Sequence, residues 1–418
     1  MMVHSWSRMT RVFGRIGLLS FGGPAAQIAL MHDALVTREK WLSEDQYLRA
    51  LSLCMLLPGP EAMQLATYAG WRLRGVAGGV LAGLLFVVPG ALVILALALA
   101  YVQVGDVPLV QAAFLGVKAA VIVVVLQALL RLGQKALTGP VAWGLAGTAF
   151  AALFVFGIPF PMVVLVAGLF GAMRSTAAPS LAPPPKTAHG RIIAPVLIFA
   201  ALWAAPLAAL WITAQDFLLE IGLFFSKLAI VTFGGAYAVL AYMTQEVVQD
   251  HGWITTGQMI DALGLAETTP GPLILVTEFV ALLAGYVQGG LALALAAGAV
   301  TLWVTFVPCF LWIFAAGPYL DHISARPRLS AALSAITAAV VGVILNLSVW
   351  FALHVIFGTV RSDGTLALPR PVLSTLDVWA VALTLVAAYL MLRLKLGLLT
   401  TLAIMAGAGC ALSLFGQV

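Results

Sequence analysis

Charge is what this chain has least of. Of its 418 residues, 9% are Asp, Glu, Lys or Arg and 62% are apolar, with a mean hydropathy of +1.08. A water-soluble domain carries about 25% charged residues, so no soluble fold of this length has enough polar side chains here to cover its surface. Cysteine is nearly missing too. Cys54, Cys309 and Cys410 stand apart in apolar surroundings, without the spacing of a redox or zinc site, and read as small buried apolar residues. P-loop, dinucleotide, HExxH and Ser/His/Asp patterns are all lacking; the sequence therefore offers no metal, no cofactor and no enzyme chemistry. The net charge of +5 comes from clusters in the N-terminal tail, at Arg131 and Lys135, in 174–191, at Arg326 and Arg328, and at Arg393 and Lys395. Such clusters mark cytoplasmic ends of membrane spans and do not imply nucleic acid.

What is present is long apolar sequence. Val76–Ala100, Val107–Leu130, Ile192–Ile212, Leu291–Phe314 and Leu329–Ile356 each reach the roughly 20 residues that cross a bilayer as a helix. Barrel strands would be about ten residues of alternating polarity, a pattern not found here. The start, with Arg8, Arg11 and Arg15 before a run broken at Phe21–Pro24, lacks a signal-peptide core. The expectation is an all-α membrane protein of the bacterial inner membrane, with the lipid bilayer as its main partner. A homodimer is compatible with the sequence and not demanded by it.

The chain also repeats itself. Phe21-Gly22-Gly23 returns as Phe233-Gly234-Gly235, Trp41 as Trp253, Gln46 as Gln258, and Pro58-Gly59-Pro60 as Pro270-Gly271-Pro272, all at one offset of 212; fifteen of the forty aligned positions are identical. Later, with small gaps, Pro89 aligns with Pro308. Duplication of this length means two copies of one unit. The expected domains are an N-terminal repeat at 1–174, a Pro-rich linker at 175–191, a connecting helix at 192–213 and a C-terminal repeat at 214–418. Six spans per repeat and one between them make about 13. An odd number separates equivalent elements, so the repeats face opposite ways, as in many secondary transporters.

The repeated motifs interrupt their own helices. Gly adds backbone freedom, and Pro removes a donor and clashes with the preceding turn. Gly22-Gly23-Pro24 and Pro58-Gly59-Pro60, with their copies at Gly234-Gly235 and Thr268-Thr269-Pro270-Gly271-Pro272, therefore predict broken helices. Broken backbone at membrane depth is tolerated only against protein or a water-filled cavity. The amides at the positive helix ends it creates suit an anion. Gln64 stands beside the first Pro-Gly-Pro as a neutral hydrogen-bonder.

Arg15 and Lys227 match at the same offset, six residues before each Phe-Gly-Gly; they read either as an anion-attracting pair or as snorkelling interfacial cations. Lys118, deep in an apolar run, must find a partner, lose its proton or face water. Glu61, Glu267 and Glu278 lie around the Pro-Gly-Pro motifs, as proton carriers, as counter-ions, or, for Glu61, as a complement to a helix dipole. The charged residues Asp33, Arg38, Glu39, Lys40, Glu246 and Asp250 read as solvated loop, with Trp41 and Trp253 as interface anchors.

Taken together, Phe21-Gly22-Gly23-Pro24, the Trp41 connection and Leu57-Pro58-Gly59-Pro60 followed by Gln64-Leu65, with weaker copies after Phe233 and at Thr269–Pro272, resemble the chromate ion transporter family, long-chain type. The likeness covers nearly the whole chain. It implies two homologous halves and export of chromate from the cytoplasm, conferring resistance; sulfate or another oxyanion is the alternative cargo. Two positions depart from the family's pattern: Gln27 stands where many relatives carry His, and Lys118 where a small or neutral residue is usual.

Overall fold

Apolar runs of this length leave the backbone no partner but itself, and the chain is helical nearly throughout. The structure, a computed structural model, describes residues 5–105, 107–174, 190–233, 236–320, 326–361 and 368–416. The linker read at 175–191 lies almost wholly outside the described residues, as do Gly234 and Gly235.

The first copy supplies α1 (Trp6–Leu19), α2 (Gly23–His32), α3 (Glu44–Leu56), α4 (Glu61–Val104), α5 (Pro108–Ala136), α6 (Pro140–Phe154) and α7 (Phe160–Arg174). The connecting helix α8 (Gly190–Ile212) comes next. The second copy supplies α9 (Asp216–Val231), α10 (Ala236–Thr244), α11 (Thr256–Thr268), α12 (Val276–Ala316), α13 (Pro327–Ile356), α14 (Val378–Ala388) and α15 (Leu398–Leu414). Residues 360–361 and 370–371 pair as a small antiparallel ribbon in the loop after α13. The five expected long spans each fall in a helix long and apolar enough to cross a membrane. Leu92, Leu197 and Trp211 stay exposed on such helices, apolar surface that suits lipid rather than water. The chain is a multi-pass membrane protein.

Two local features differ from the expectation. The polar stretches read as loops are π-helical turns continuing α2 and α10, at Asp33–Arg38 and Gln245–Asp250. Their equal placement in both copies marks an inserted residue as part of the repeat. Trp253 is buried and stacks on His251, with ring centroids 4.4 Å apart, whereas Trp41 leans on Phe13 at 6.0 Å.

α4 and α12 are also longer than the spans read from sequence, because each doubles back. Arg74–Gly75 and Gly289–Gly290 leave helical geometry, Gly75 and Gly290 with φ of 63° and 74°. Across the first turn a Cβ on Gly70 would lie 2.2 Å from the Gly78 oxygen; across the second, one on Gly285 would lie 2.7 Å from the Ala294 Cα. Glycine lets the two arms of each hairpin touch backbone to backbone.

The chain forms two compact units. Unit 1 holds Met1–Ala98, Ala172–Val239 and Thr269–Leu333; unit 2 holds Leu99–Gly171, Leu240–Thr268 and Ser334–Val418. In unit 1, α8 packs on α9 and α12; its Phe199 meets Phe310 and Phe314, and Trp303 donates to the Leu202 carbonyl at 2.7 Å. The long arms of α4 and α12, equivalent in the two copies, meet directly. Gly79 lies under Phe314 and Gly83 under Phe310, so the two helices run antiparallel. In unit 2, α5 of the first copy packs on α14 and α15 of the second. A Cβ on Gly116 would strike the Met405 oxygen, and one on Gly409 the Ala112 oxygen, at 1.8 and 2.0 Å. Reciprocally, α13 of the second copy approaches α6 and α7 of the first at Gly342 against Ala146 and at Gly168 against Ile336.

Candidate functional site

The breaks fall where the glycines and prolines sit. α1 stops at Leu19, and Gly22 and Gly23 take φ of 85° and 77° before Pro24 opens α2, whose start no side chain caps. α3 stops at Leu56; Gly59, at φ 117°, turns the chain between Pro58 and Pro60 into α4. α11 stops at Thr268, where the Thr268 hydroxyl bonds back to the Leu265 carbonyl at 2.7 Å, and Gly271 turns at φ 90°. Left-handed backbone at these three points favours glycine.

Within unit 1, the first break of each copy meets the second break of the other. The Gly59 amide donates to the Thr232 carbonyl at 2.9 Å, and the Gly271 amide donates to the Ser20 carbonyl at the same distance. Ser20 and Thr232 are 212 apart, as are Gly59 and Gly271, so one bond is the other with the copies exchanged. Such reciprocity is the mark of a twofold relation. Ser20 and Thr232 also anchor the same way, each hydroxyl donating to the carbonyl four residues back, at Ile16 and Leu228. Both side chains are buried. Two of the amides freed by the breaks are thus spent on joining the copies.

The long arms close behind the breaks with the same exchange. Gly90, after Pro89, lies against the Pro270 carbonyl, and Cys309, after Pro308, lies against Gly59. Proline has removed a backbone donor at both places.

Side chains then line the breaks unequally. Gln27 donates to the Gly271 carbonyl at 2.6 Å and the Ser20 carbonyl at 3.2 Å. Gln64 donates to the Pro58 carbonyl at 2.7 Å. Both side chains are at most 1% exposed, and both carboxamide oxygens lack a hydrogen-bond partner. Glu278 Oε2 and the hydroxyls of Thr301 and Thr305 are buried with no partner either. A buried acceptor without a donor costs about 1–3 kcal/mol, so five in one unit call for a function. Thr269 and Glu267 are buried, and Glu61 is half-buried at the start of α4.

The cations fall elsewhere. Arg15 is exposed and borders a recess with Asp33, Arg38 and Glu39; Lys227 is exposed on α9. Neither points into the breaks' hydrogen-bond exchange. In unit 2, Lys118 has found a partner the sequence did not suggest. Its ammonium is 3.0 Å from Asp261 of α11, whose other oxygen accepts from Tyr101 at 2.8 Å. Asp261 was legible by the rule that singled out Lys118, a charge inside an apolar segment. Thr301 and Thr305 carried no such signal, being neutral and common in membrane helices. Among the described residues no group of three or more His, Cys, Asp or Glu gathers as a metal site.

The site is therefore a pair of joined helix breaks with neutral hydrogen-bonders, uncapped helix starts and one carboxylate within a buried interior. Such an arrangement can hold a small solute through hydrogen bonds and helix ends. The pattern of the chromate transporter family matches the chain twice, at residues 7–172 and 219–412. A chromate transport protein of Pseudomonas aeruginosa is 36% identical over 345 residues, covering 81% of this chain and 79% of its own. One from Cupriavidus metallidurans is 33% identical over 343 residues, covering 81% and 80%. A probable chromate transport protein of Synechococcus elongatus is 32% identical over 343 residues, covering 82% and 83%. No solved structure matches the chain. On the twofold match and these relatives, the chain belongs to the chromate transporter family.

Proposed function

We propose that the protein exports chromate from the cytoplasm across the bacterial inner membrane, as a secondary or potential-driven transporter whose repeats, 1–174 and 214–418, are inverted copies joined through 175–191 and the 192–213 helix. The observation that carries this reading is the reciprocal bonding of Gly59 to Thr232 and Gly271 to Ser20. It ties both pairs of breaks to one twofold centre. The antiparallel contact of the equivalent long arms, Gly79 on Phe314 and Gly83 on Phe310, supports the inversion: a twofold axis that makes equivalent helices antiparallel lies across them, in the membrane plane. With about 13 spans in all, alternating access comes from rocking one copy against the other around the fixed breaks.

On this reading chromate is held by the backbone and neutral groups at Gly22, Gly23 and Pro24, at Pro58, Gly59, Pro60 and Gln64, and at Gly234, Gly235, Thr268, Thr269, Pro270, Gly271 and Pro272. The helix starts supply partial positive charge without a fixed cation. Arg15 and Lys227 draw the anion inward from the surface, and Lys118, released from Asp261, serves as a further station. Glu61, Glu267 and Glu278 are the carboxylates through which an ion gradient would act. Export needs little more: one charge moved through 100 mV is worth about 2.3 kcal/mol, so a dianion leaving a negative interior gains about twice that.

The test is counterflow in proteoliposomes. Purified protein should exchange labelled chromate, and should load everted vesicles faster than right-side-out ones. Absence of exchange, or displacement by sulfate at equal concentration, would remove chromate as the cargo.

A further inference from the structure

The unpartnered oxygens on α12 lie on the facing sides of one hairpin, within about a turn of each other. Across the Gly289–Gly290 turn, Gly285 opposes Ala294 and Gly298 opposes Leu282, so moving one turn from Leu282 brings Glu278 opposite Thr301, Leu302 and Thr305. Residues 278 and 282 share a face of the short arm; 298, 301 and 305 share a face of the long arm. Cys309, one turn beyond Thr305, bonds to the Thr305 carbonyl at 3.4 Å. A Cβ placed on Gly59 would meet both the Cys309 sulfur, at 3.0 Å, and the Gln64 amide, at 2.9 Å. Gln64 is thereby set one turn from Thr305. The side chains of Glu278, Thr301, Thr305 and Gln64 are 3%, 0%, 1% and 0% exposed, and each has an oxygen without a donor.

We propose that these four side chains form a sodium site, so that a sodium gradient is the coupling ion for transport. The chemistry selects the ion. Each free group offers an oxygen lone pair: the Glu278 carboxylate and the Gln64 carboxamide oxygen only accept, and the two hydroxyls can turn their lone pairs the same way, a set that suits a hard cation. One carboxylate balances one positive charge. A divalent ion would ask for more carboxylates, and a softer metal for the His or Cys that do not gather among the described residues. The place is also right, since unwound backbone beside broken helices is where secondary transporters hold coupling ions. This rests on the transport reading and takes Glu278 beyond a proton carrier; a lone carboxylate needs only one proton, but two unpartnered hydroxyls and an unpartnered carboxamide oxygen within a turn or two of it along the same packed arms suit a ligand with several coordination positions.

The test begins with the wild-type full chain in detergent, melted in sodium, potassium and choline chloride at equal ionic strength. Sodium alone should raise the melting temperature, saturably. Glu278→Gln and Thr305→Val should each raise the half-saturating sodium concentration at least tenfold, while Thr301→Ser, which keeps the oxygen, should not. Equal melting of the wild type in the three salts, or an unchanged sodium response in Glu278→Gln, would overturn the site. Should Glu278→Gln not fold, Thr305→Val and the wild-type salt series decide alone. Chromate counterflow is measured separately in the same salts. Flux that ignores sodium and tracks a proton gradient would overturn the coupling role and leave chromate transport standing. A sodium shift without chromate flux in any salt would support the site and sink the transport reading.

Discussion

The two copies share a scaffold and divide the chemistry. Their backbones repeat one another: the same glycines turn at the second break, the same hydroxyls anchor Ser20 and Thr232, and the same hairpin turn comes at Gly75 and Gly290. The side chains around that backbone do not. Gln27 and Gln64 correspond at the shared offset to Val239 and Val276, while Asp261 and Glu267 correspond to Arg49 and Met55. The first copy thus brings neutral amides to the breaks of unit 1, and the second carries the buried acids, Glu278 in unit 1 and Asp261 and Glu267 in unit 2. Duplication gave two equal frames, and the polar groups that make a site were then placed on one side or the other.

The comparison can be broken most severely at the acid of the second copy. Asp261→Ala should cost about 3–5 kcal/mol by leaving Lys118 partly buried without its partner, read as lost folded protein or a lower melting temperature. Lys118→Met with Asp261→Leu should recover most of that loss. A double mutant no better than the single would mean that the pair is not what Asp261 supplies.

Next comes the frame. Gly90→Ala would push a methyl to 2.2 Å from the Pro270 carbonyl, and overpacking of this kind costs about 1–3 kcal/mol. Gly75→Ala, which meets nothing within 4 Å and suffers only from its positive φ, should cost less. Equal melting of the two variants would contradict the tight closure at the breaks.

Of similar size is the divided chemistry of the first copy. Gln27→Leu strands the Gly271 carbonyl, since the Ser20 carbonyl keeps the Gly271 amide, and Gln64→Leu strands the Pro58 carbonyl, so each should cost about 1–3 kcal/mol and lower the melting temperature by a similar amount. Last, Arg15→Gln with Lys227→Gln, both exposed, should change stability by no more than about 0.5 kcal/mol, while chromate flux falls to background. Normal flux in that double variant would return both cations to interfacial snorkelling.

Much of the frame could be read before any coordinates. The five long spans and the breaks at Gly22, Gly59 and Gly271 all come from local rules, because an apolar run and a Pro-Gly-Pro act on their own few residues. The hairpin turns are half legible: the apolar runs begin at Val76 and Leu291, one residue past each turn, yet nothing local shows that Glu61–Leu73 folds back upon the arm beginning at Val76. What could not be read is which break faces which. That depends on contacts between residues 173 to 251 positions apart, Gly59 with Thr232 and Ser20 with Gly271, and no local pattern carries such pairing. For the same reason the rule that flags Lys118 reaches Asp261 as well, yet nothing local shows that the two pair. The orphaned oxygens were invisible for a different reason: an unmet hydrogen bond is a property of packing, not of residue type.

The crossed bonds at the breaks have a consequence for how such a molecule comes into being. Half of this chain would carry a glycine amide with no acceptor inside an oily interior. A lone copy is therefore sticky toward its own duplicate, and a gene encoding one copy would have to yield a reciprocal pair before it yielded anything that holds together. Fusing the two into a single polypeptide keeps that embrace and frees each partner to lose what the other retains.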